Sequence, residues 1–398
     1  MKKKYRLFTV LFLAVFLGGS FFNIVRRFTA DDTAKELRAR MVVLPQAEKF
    51  SQKLPSPPHY KAYKTNPQTG QEELIGILFV TTDLAPEIRG YAGPIKVMAA
   101  MNLDGGITAL YVISHSETPS YVFTLDEFIS QFMRLDIKSD FQLGKGIDGI
   151  SRATMTSEAI ARSVERGLKT AAREVLQLEV PQGIVVRKTK MSVEEIVVPF
   201  LIFGAAVSGI VFCNNFLRWI ALTAGLFYLG FLKSTMVSVI QIANIGLFKI
   251  PVFRDNPLWY FLLGLTFVST LFLGLVYCGS VCPFAAVQEL LYNAFKKILP
   301  KSFLSPMNFS KGADESTRNI KYITLLLVLS ASFAVGNASA ANVEPFLTFF
   351  TSHGTKLAMG FLFLILAVSV FHFRFWCKYL CPVGAASGLL SRISIFKI

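Results

Sequence analysis

Four of the five cysteines fall in two copies of one pattern, YCGSVCPFAAVQELL at 277–291 and WCKYLCPVGAASGLL at 376–390. Each copy reads aromatic-C-x3-C-P, and the second lies 99 residues after the first. A four-residue spacing sets both sulfurs of a pair on one face of a helical turn. Two such pairs at one membrane surface, Cys278 with Cys282 and Cys377 with Cys381, supply four thiolates. Thiolate sites of this kind select zinc or iron–sulfur clusters. An iron–sulfur or other redox metal centre is therefore one reading. Zinc, transient thiol chemistry, and plain helix ends with Pro283 and Pro382 as turns are the others. A disulfide suits a reducing compartment poorly. Cys213 stands alone in an apolar run and reads as core.

A second stretch with chemical content is DGISRATMTS, residues 148–157. It precedes a helical pattern over 156–177, in which Ala159, Ile160, Val164, Leu168, Ala171, Ala172 and Val175 share one face. The spacing predicts a helix starting near Thr156 and capped by Thr156 or a neighbour. Backbone N–H groups and the macrodipole make a helix N-terminus a phosphate site. Thr154 lies just upstream, so a phosphate on its hydroxyl would sit against those donors. The plain alternative is that Ser151, Thr154, Thr156 and Ser157 serve only as turn and capping residues.

The elements that must position these residues divide by polarity. The chain has 398 residues and is 53% hydrophobic, and the apolar residues come in blocks. Runs at 7–25, 195–213, 216–232, 257–277, 320–338 and 357–376 read as six membrane spans. The less apolar 234–248 reads as an interfacial or re-entrant segment. The net charge of +15 is distributed as a topology signal. Lys296, Lys297, Lys301, Lys311, Arg318 and Lys321 crowd one loop, and the N-terminus is basic too. The positive-inside rule then puts the N-terminus, 278–319 and the C-terminus in the cytoplasm, and 28–193 outside. No nucleic-acid partner is expected. The first span reads as an uncleaved anchor, with a cleaved signal peptide as the alternative. The expected division is a membrane anchor at 1–27, an extracytoplasmic domain at 28–193 and a five-span membrane domain at 194–398.

The exported part reads as α+β, joined to an all-α transmembrane helix bundle. Residues 28–60 are expected to be a helix plus a linker, and 73–82 a strand. Residues 95–103 and 107–114 form a β-hairpin about Asp104-Gly105-Gly106. Residues 125–135 look helical. Glu344-Pro345 reads as a loop. Arg218 and Arg374 read as interface markers. His372, inside the last run, is a candidate contact for a quinone head group or metal, or simply an interior histidine.

DGISRAT resembles the flavinylation motif of FMN-binding domains found in NosR and in subunits of the Rnf and Na+-translocating quinone reductase complexes. The resemblance implies FMN joined through its phosphate to Thr154, with Asp148, Gly149, Ser151 and Ala153 completing the motif. Asp148 resembles the residue that a flavin transferase needs. Arg152 stands where the family prefers a small residue, and it is also a candidate partner for the phosphate. GYAGPI at 90–95 and HSETPSY at 115–121 resemble two further family segments, which implies Glu117, Thr118 and Pro119 near the flavin ring. Ser120 stands where the family has Gly. This likeness spans about 75–175.

The paired C-x3-C-P motifs after such a domain resemble NosR and NirI. C-x3-C-P also ends the bacterial ferredoxin signature, but neither copy has that signature's first two cysteines, so a full ferredoxin fold is not expected. Larger NosR-type members carry a C-terminal ferredoxin domain. The short form here resembles the PceC/CprC-like flavoproteins associated with reductive dehalogenases. The resemblance implies menaquinol as donor, covalent FMN as carrier, the four-cysteine centre as relay, and an exported reductase, a reductive dehalogenase, as acceptor. A flavin transferase and membrane lipid are the other expected partners. The topology sets the cysteines and the flavin on opposite sides of a hydrocarbon core about 30 Å thick. A further carrier, a shallow quinone site or a docked flavin domain is then needed between them. The alternative is a redox-sensing regulatory or maturation protein of the NosR/NirI type. No catalytic residue is assigned.

Overall fold

The computed structural model describes residues 2–29, 33–119, 121–151, 153–181, 193–250, 253, 257–298, 314 and 317–393. Arg152 and Ser120, singled out above, lie outside them, as do Lys301 and Lys311. The chain forms two compact units. One comprises Arg26–Thr189 with Lys249–Val252; the other comprises Met1–Val25, Lys190–Phe248 and Phe253–Ile398.

The first unit is built on an antiparallel sheet. Its strands are β1 (Lys49–Phe50), β2 (Leu54–Pro55), β3 (Pro58–Thr65), β4 (Glu72–Val80), β5 (Lys96–Met101) and β6 (Ile107–Ser114). The order is β1-β3-β4-β5-β6, with β2 on β3. Side chains alternate along each strand, and here both faces are covered. Ile77, Phe79, Val97, Ala99 and Met101 share one core with helix α5 (Thr154–Glu174). Leu78, Val80, Met98 and Ala100 share another with Ala39 and Val43 of helix α2 (Thr33–Val43). That double cover explains why Gly76–Val80 is buried without a break.

The hairpin β5–β6 lies within the expected ranges, with Gly105 at φ +87° in its turn. Sequence reasoning missed β3. Residues 28–60 were expected as helix and linker, yet Pro58–Tyr60 begin a strand paired with β4. The alternation there is masked by Lys61, between Tyr60 and Ala62 of the core, and by the exposed Lys64 near the end of the strand. The predicted helix at 125–135 is a short helix α4 (Leu125–Ser130) continued as a 3-10 turn, Gln131–Arg134.

α5 crosses the sheet at Gly167. A Cβ there would lie 2.3 Å from Cε2 of buried Phe79. In a free helix Gly→Ala gains about 1 kcal/mol. Here Gly167→Ala is expected to cost about 1–3 kcal/mol by overpacking. Hydrogen exchange of the α5 and β4 amides in the full chain should rise accordingly.

The second unit is helical. Among the described residues, three of its helical stretches are long and apolar enough to cross a membrane: Tyr5–Arg26, Val193–Val211 and Asn215–Leu232. Two bent pairs raise the number to five if each is one span. They are Pro257–Leu273 with Val276–Ile298, bent by 102°, and Pro345–Thr351 with Lys356–Phe371, bent by 104°. The expected count of six spans exceeds this. The run at 320–338 makes only the 16-residue helix Ile320–Val335, which ends at Gly336 in the left-handed region. Many large apolar side chains of these helices are exposed, among them Leu201, Phe227, Phe363 and Leu364. Such a surface suits lipid rather than water.

Residues 234–248 hold a short helix, Val239–Gly246, opened by a Ser238/Gln241 capping box. Glu344, read as part of a loop, is a buried N-cap to Pro345–Thr351. Its carboxylate accepts from the Ser238 hydroxyl and from Val239 N at 3.1 Å. Cys213, expected in the core, is exposed at φ +50° beyond the end of Val193–Val211. The apolar pattern concealed the turn at Asn214 that stops that helix.

Candidate functional site

The DGISRATMTS segment is held from both ends. Gln131 brackets Asp148, its Oε1 accepting from Asp148 N at 2.8 Å and its Nε2 donating to Asp148 O at 3.1 Å. Ile150 N donates to Ser157 Oγ at 2.9 Å, and Ser157 Oγ donates to Ala153 O at 3.1 Å. The helix starts at Thr154, two residues before the expected position, with Ala153 as N-cap and no side chain capping it. Thr156 and Ser157 are buried inside its first turn instead of capping it. Thr154 is exposed on that turn, and the side chains of Asp148 and Ser151 are also exposed. The first-turn N–H groups of a helix have no intrahelical partner. An exposed hydroxyl beside uncapped donors fits a phosphate linked at Thr154.

Three segments far apart in sequence meet behind this turn. Glu117 is buried, and its carboxylate accepts from Ala92 N at 2.9 Å and from Thr156 Oγ1 at 2.7 Å. Gly90 passes close by. A Cβ there would lie 2.5 Å from Glu117 Oε1, so only glycine fits. Gly93, at φ +127°, closes the loop through Gly90 N to Gly93 O at 2.8 Å. Thr118 is buried next to Glu117, whereas Pro119 is exposed. The structure therefore joins Glu117 to the helix start and leaves Pro119 at the surface.

Burial pushes the Glu117 carboxyl up to about 7, against the pull of its two hydrogen bonds. An unfolded glutamate titrates near 4.3, with ~1.4 kcal/mol for each pH unit of displacement. Between about pH 4.3 and 7 the folded chain binds the extra proton. Its stabilisation is complete below that window and is lost as pH rises through 7, a change of about 4 kcal/mol. Glu117→Gln, which stays neutral and keeps an acceptor for Ala92 N, is expected to flatten this dependence. Hydrogen exchange of α5 at pH 5 and pH 8 measures it.

In the second unit, both C-x3-C pairs straddle a break between helices rather than riding one turn. Cys278 lies in Val276–Ser280, and Cys282 precedes Pro283–Ile298. Cys377 lies in Phe375–Tyr379, and Cys381 is the N-cap of Pro382–Leu390, its Sγ accepting from Gly384 N at 3.3 Å. Proline at the first helical position enforces each break. All four cysteines line one cavity of about 30 Å³, with Val237, Tyr277, Phe346, Val383 and Gly384. Among the described residues no three His, Cys, Asp or Glu side chains gather tightly enough to hold a metal ion. The thiols thus ring the cavity without closing on a single point, as a zinc site with Zn–S of about 2.3 Å requires. A cluster takes one thiolate at each iron, and an otherwise apolar, four-thiol cavity fits that chemistry.

Arg218 and Arg374 do not merely mark an interface. Both converge on the buried carboxylate of Glu289, with Arg218 Nη2 at 2.7 Å and Arg374 Nε at 2.9 Å from Oε2. Arg374 also donates to Cys278 O and to Gly279 O, each at 3.0 Å. The first cysteine loop is thereby tied to a residue just ahead of the second. His372 sits at the C-cap of Lys356–Phe371, not within the helix, with Nε2 3.0 Å from Tyr379 Oη. Glu289 and Gln288 escaped the sequence reading, and Glu344 was read only as part of a loop. The one signal for Glu289 was a charged residue inside the otherwise apolar AAVQELL.

Residues 90–169 match the FMN-binding domain family. Residues 255–302 and 357–398 match the 4Fe-4S binding domain family, one cysteine pair in each stretch. The chain is 33% identical to the regulatory protein NosR of Pseudomonas aeruginosa, over 43% of this chain and 25% of that protein. It is 30% identical to the protein NirI of Paracoccus denitrificans, over 42% of this chain and 27% of that one. It is also 30% identical to the putative electron transport protein YccM of Escherichia coli, over 33% of this chain and 38% of YccM. The matched stretch thus spans about a quarter of the length of NosR and NirI. These findings define a membrane protein with an FMN-binding domain and 4Fe-4S binding stretches. Within that class, the chain is an FMN-binding membrane protein of the NosR/NirI type.

Proposed function

We propose that the chain takes electrons from menaquinol in the membrane and delivers them to an exported reductase through FMN esterified to Thr154. The observation that carries this reading is the exposed Thr154 hydroxyl on an uncapped helix start, in the same chain as four thiols around one cavity. Asp148, Gly149, Ser151 and Ala153 form the turn that presents Thr154. Cys278, Cys282, Cys377 and Cys381 hold the iron–sulfur cluster. Bound flavin supplies the exchange between two-electron and one-electron chemistry. The charge distribution supports cysteines on the cytoplasmic side and an extracytoplasmic flavin domain, in the division 1–27, 28–193 and 194–398. The architecture resembles the PceC/CprC-like flavoproteins, which supports a reductive dehalogenase as the acceptor.

A second reading is favoured by the likeness to NosR, a regulatory protein. In that reading the flavin reports redox state, or serves maturation, without steady electron flow. One experiment separates the two. The flavin-loaded full chain in detergent is mixed anaerobically with a reduced menaquinone analogue, and the flavin absorbance is followed. Bleaching, and its loss in Cys381→Ser, supports electron transfer. A loaded flavin that stays oxidised with quinol would favour the regulatory reading.

A further inference from the structure

The side chain at the heart of the cysteine centre is Gln288. It is completely buried on Pro283–Ile298. Its Oε1 accepts from Trp376 N at 3.0 Å and from Ser369 Oγ at 3.2 Å. Its Nε2 donates to Cys377 Sγ at 3.1 Å and to Phe284 O at 3.3 Å. The orientation of the amide is forced. A backbone N–H can only donate and a carbonyl can only accept, so the oxygen must face Trp376 and the NH2 must face Phe284 O and the sulfur.

The two copies of the motif answer each other. Gln288 stands ten residues after Cys278, and Ser387 stands ten residues after Cys377. Gln288 reaches the first cysteine of the second copy, and Ser387 holds the equivalent place in that second copy. The second cysteine of the second copy is served from its own helix, Gly384 N donating to Cys381 Sγ at 3.3 Å. The Tyr277 hydroxyl, which also lines the cavity, accepts from Val237 N at 3.0 Å. The Gln288 bond thus crosses between the two copies.

We propose that Gln288 donates a hydrogen bond to a cluster-ligating sulfur and so sets the reduction potential of the centre, locking both copies into one ligand set. This rests on reading the four cysteines as the cluster ligands. A donor to thiolate sulfur draws negative charge away from the irons and favours the form carrying one more electron. Gln288 is a positioning residue here, not a ligand. Its buried amide has no solvent to replace it, so its removal is felt in full.

The test uses the full chain purified anaerobically in detergent, with iron and sulfide assayed and the potential read by EPR-monitored titration. Gln288→Met keeps length and bulk but removes the donor. Iron content is expected at the parental level, with the equilibrium for reduction lowered roughly tenfold, about 59 mV for one electron. Ser369→Ala, which removes one of the bonds that orient the Gln288 amide, is expected to move the potential the same way by less. Parental iron with an unmoved potential in both variants overturns the proposal. If Gln288→Met holds no iron, Ser369→Ala decides alone: a downward shift supports the proposal and no shift overturns it. A parent chain without iron sinks the ligand reading itself, and the proposal with it.

Discussion

Changing Cys377 or Cys381 to serine is expected to remove most of the iron from the purified chain, and Cys278→Ser and Cys282→Ser should do the same. One cavity is lined by both pairs, so neither pair has a separate site to fall back on. A [4Fe–4S] cluster on four cysteines holds about four irons per chain, and each thiolate secures one corner. Serine keeps the size and loses the soft donor that iron–sulfur chemistry selects. Cys381→Ser carries an added consequence, because the sulfur also caps Pro382–Leu390 through Gly384 N. A serine hydroxyl is itself a good cap, so that variant separates lost ligation from a lost helix start. Cys213→Ser is the control. Cys213 is exposed and lines no part of the cavity, so its loss should leave iron and visible absorption unchanged. Iron loss confined to one pair would point to two independent sites and overturn the shared centre.

How much of this was legible beforehand follows from the range over which each signal acts. The two C-x3-C-P copies and the amphipathic face of 156–177 are local patterns, and both were visible. β3 was not, because Lys61 and Lys64 stand among its few apolar positions and dilute the alternation. The helix start was misplaced because Thr156 and Ser157 look like caps, whereas tertiary partners, Glu117 and Ile150 N, claim both hydroxyls. Buried polar links such as Gln288 to Cys377 and Arg374 to Glu289 join residues more than 80 apart. Nothing in local composition announces them. Glycines 90 and 93 were quoted as part of a motif, but the reason for Gly90 is the Glu117 oxygen pressed against it.

Thr154→Val is expected to abolish covalent flavin, while Thr156→Val and Ser151→Ala retain it. The chain, expressed whole with an active flavin transferase, should gain the mass of FMN less one water and fluoresce in a denaturing gel. The argument separates hydroxyls by access. Thr156 and Ser157 are only 2% and 0% exposed, and both hydroxyls are engaged. A transferase cannot reach either without unwinding the helix start. Thr154 and Ser151 are exposed, but only Thr154 sits on the helical turn whose N–H groups can receive a phosphate. Valine removes the nucleophilic oxygen and keeps the branched shape, so the fold should survive. Thr156→Val instead withdraws a hydrogen bond from Glu117 and should loosen the site at a cost of about 1–3 kcal/mol, with flavin still attached. Asp148→Ala is expected to fall between these extremes, since its carboxylate is exposed beside the turn while its backbone holds Gln131. A folded parent that stays unlabelled beside a labelled control substrate, or a labelled Thr154→Val, would remove Thr154 as the attachment point. Flavin bound without a covalent link would then have to rely on the helix start and the Gly90–Ala92 loop alone.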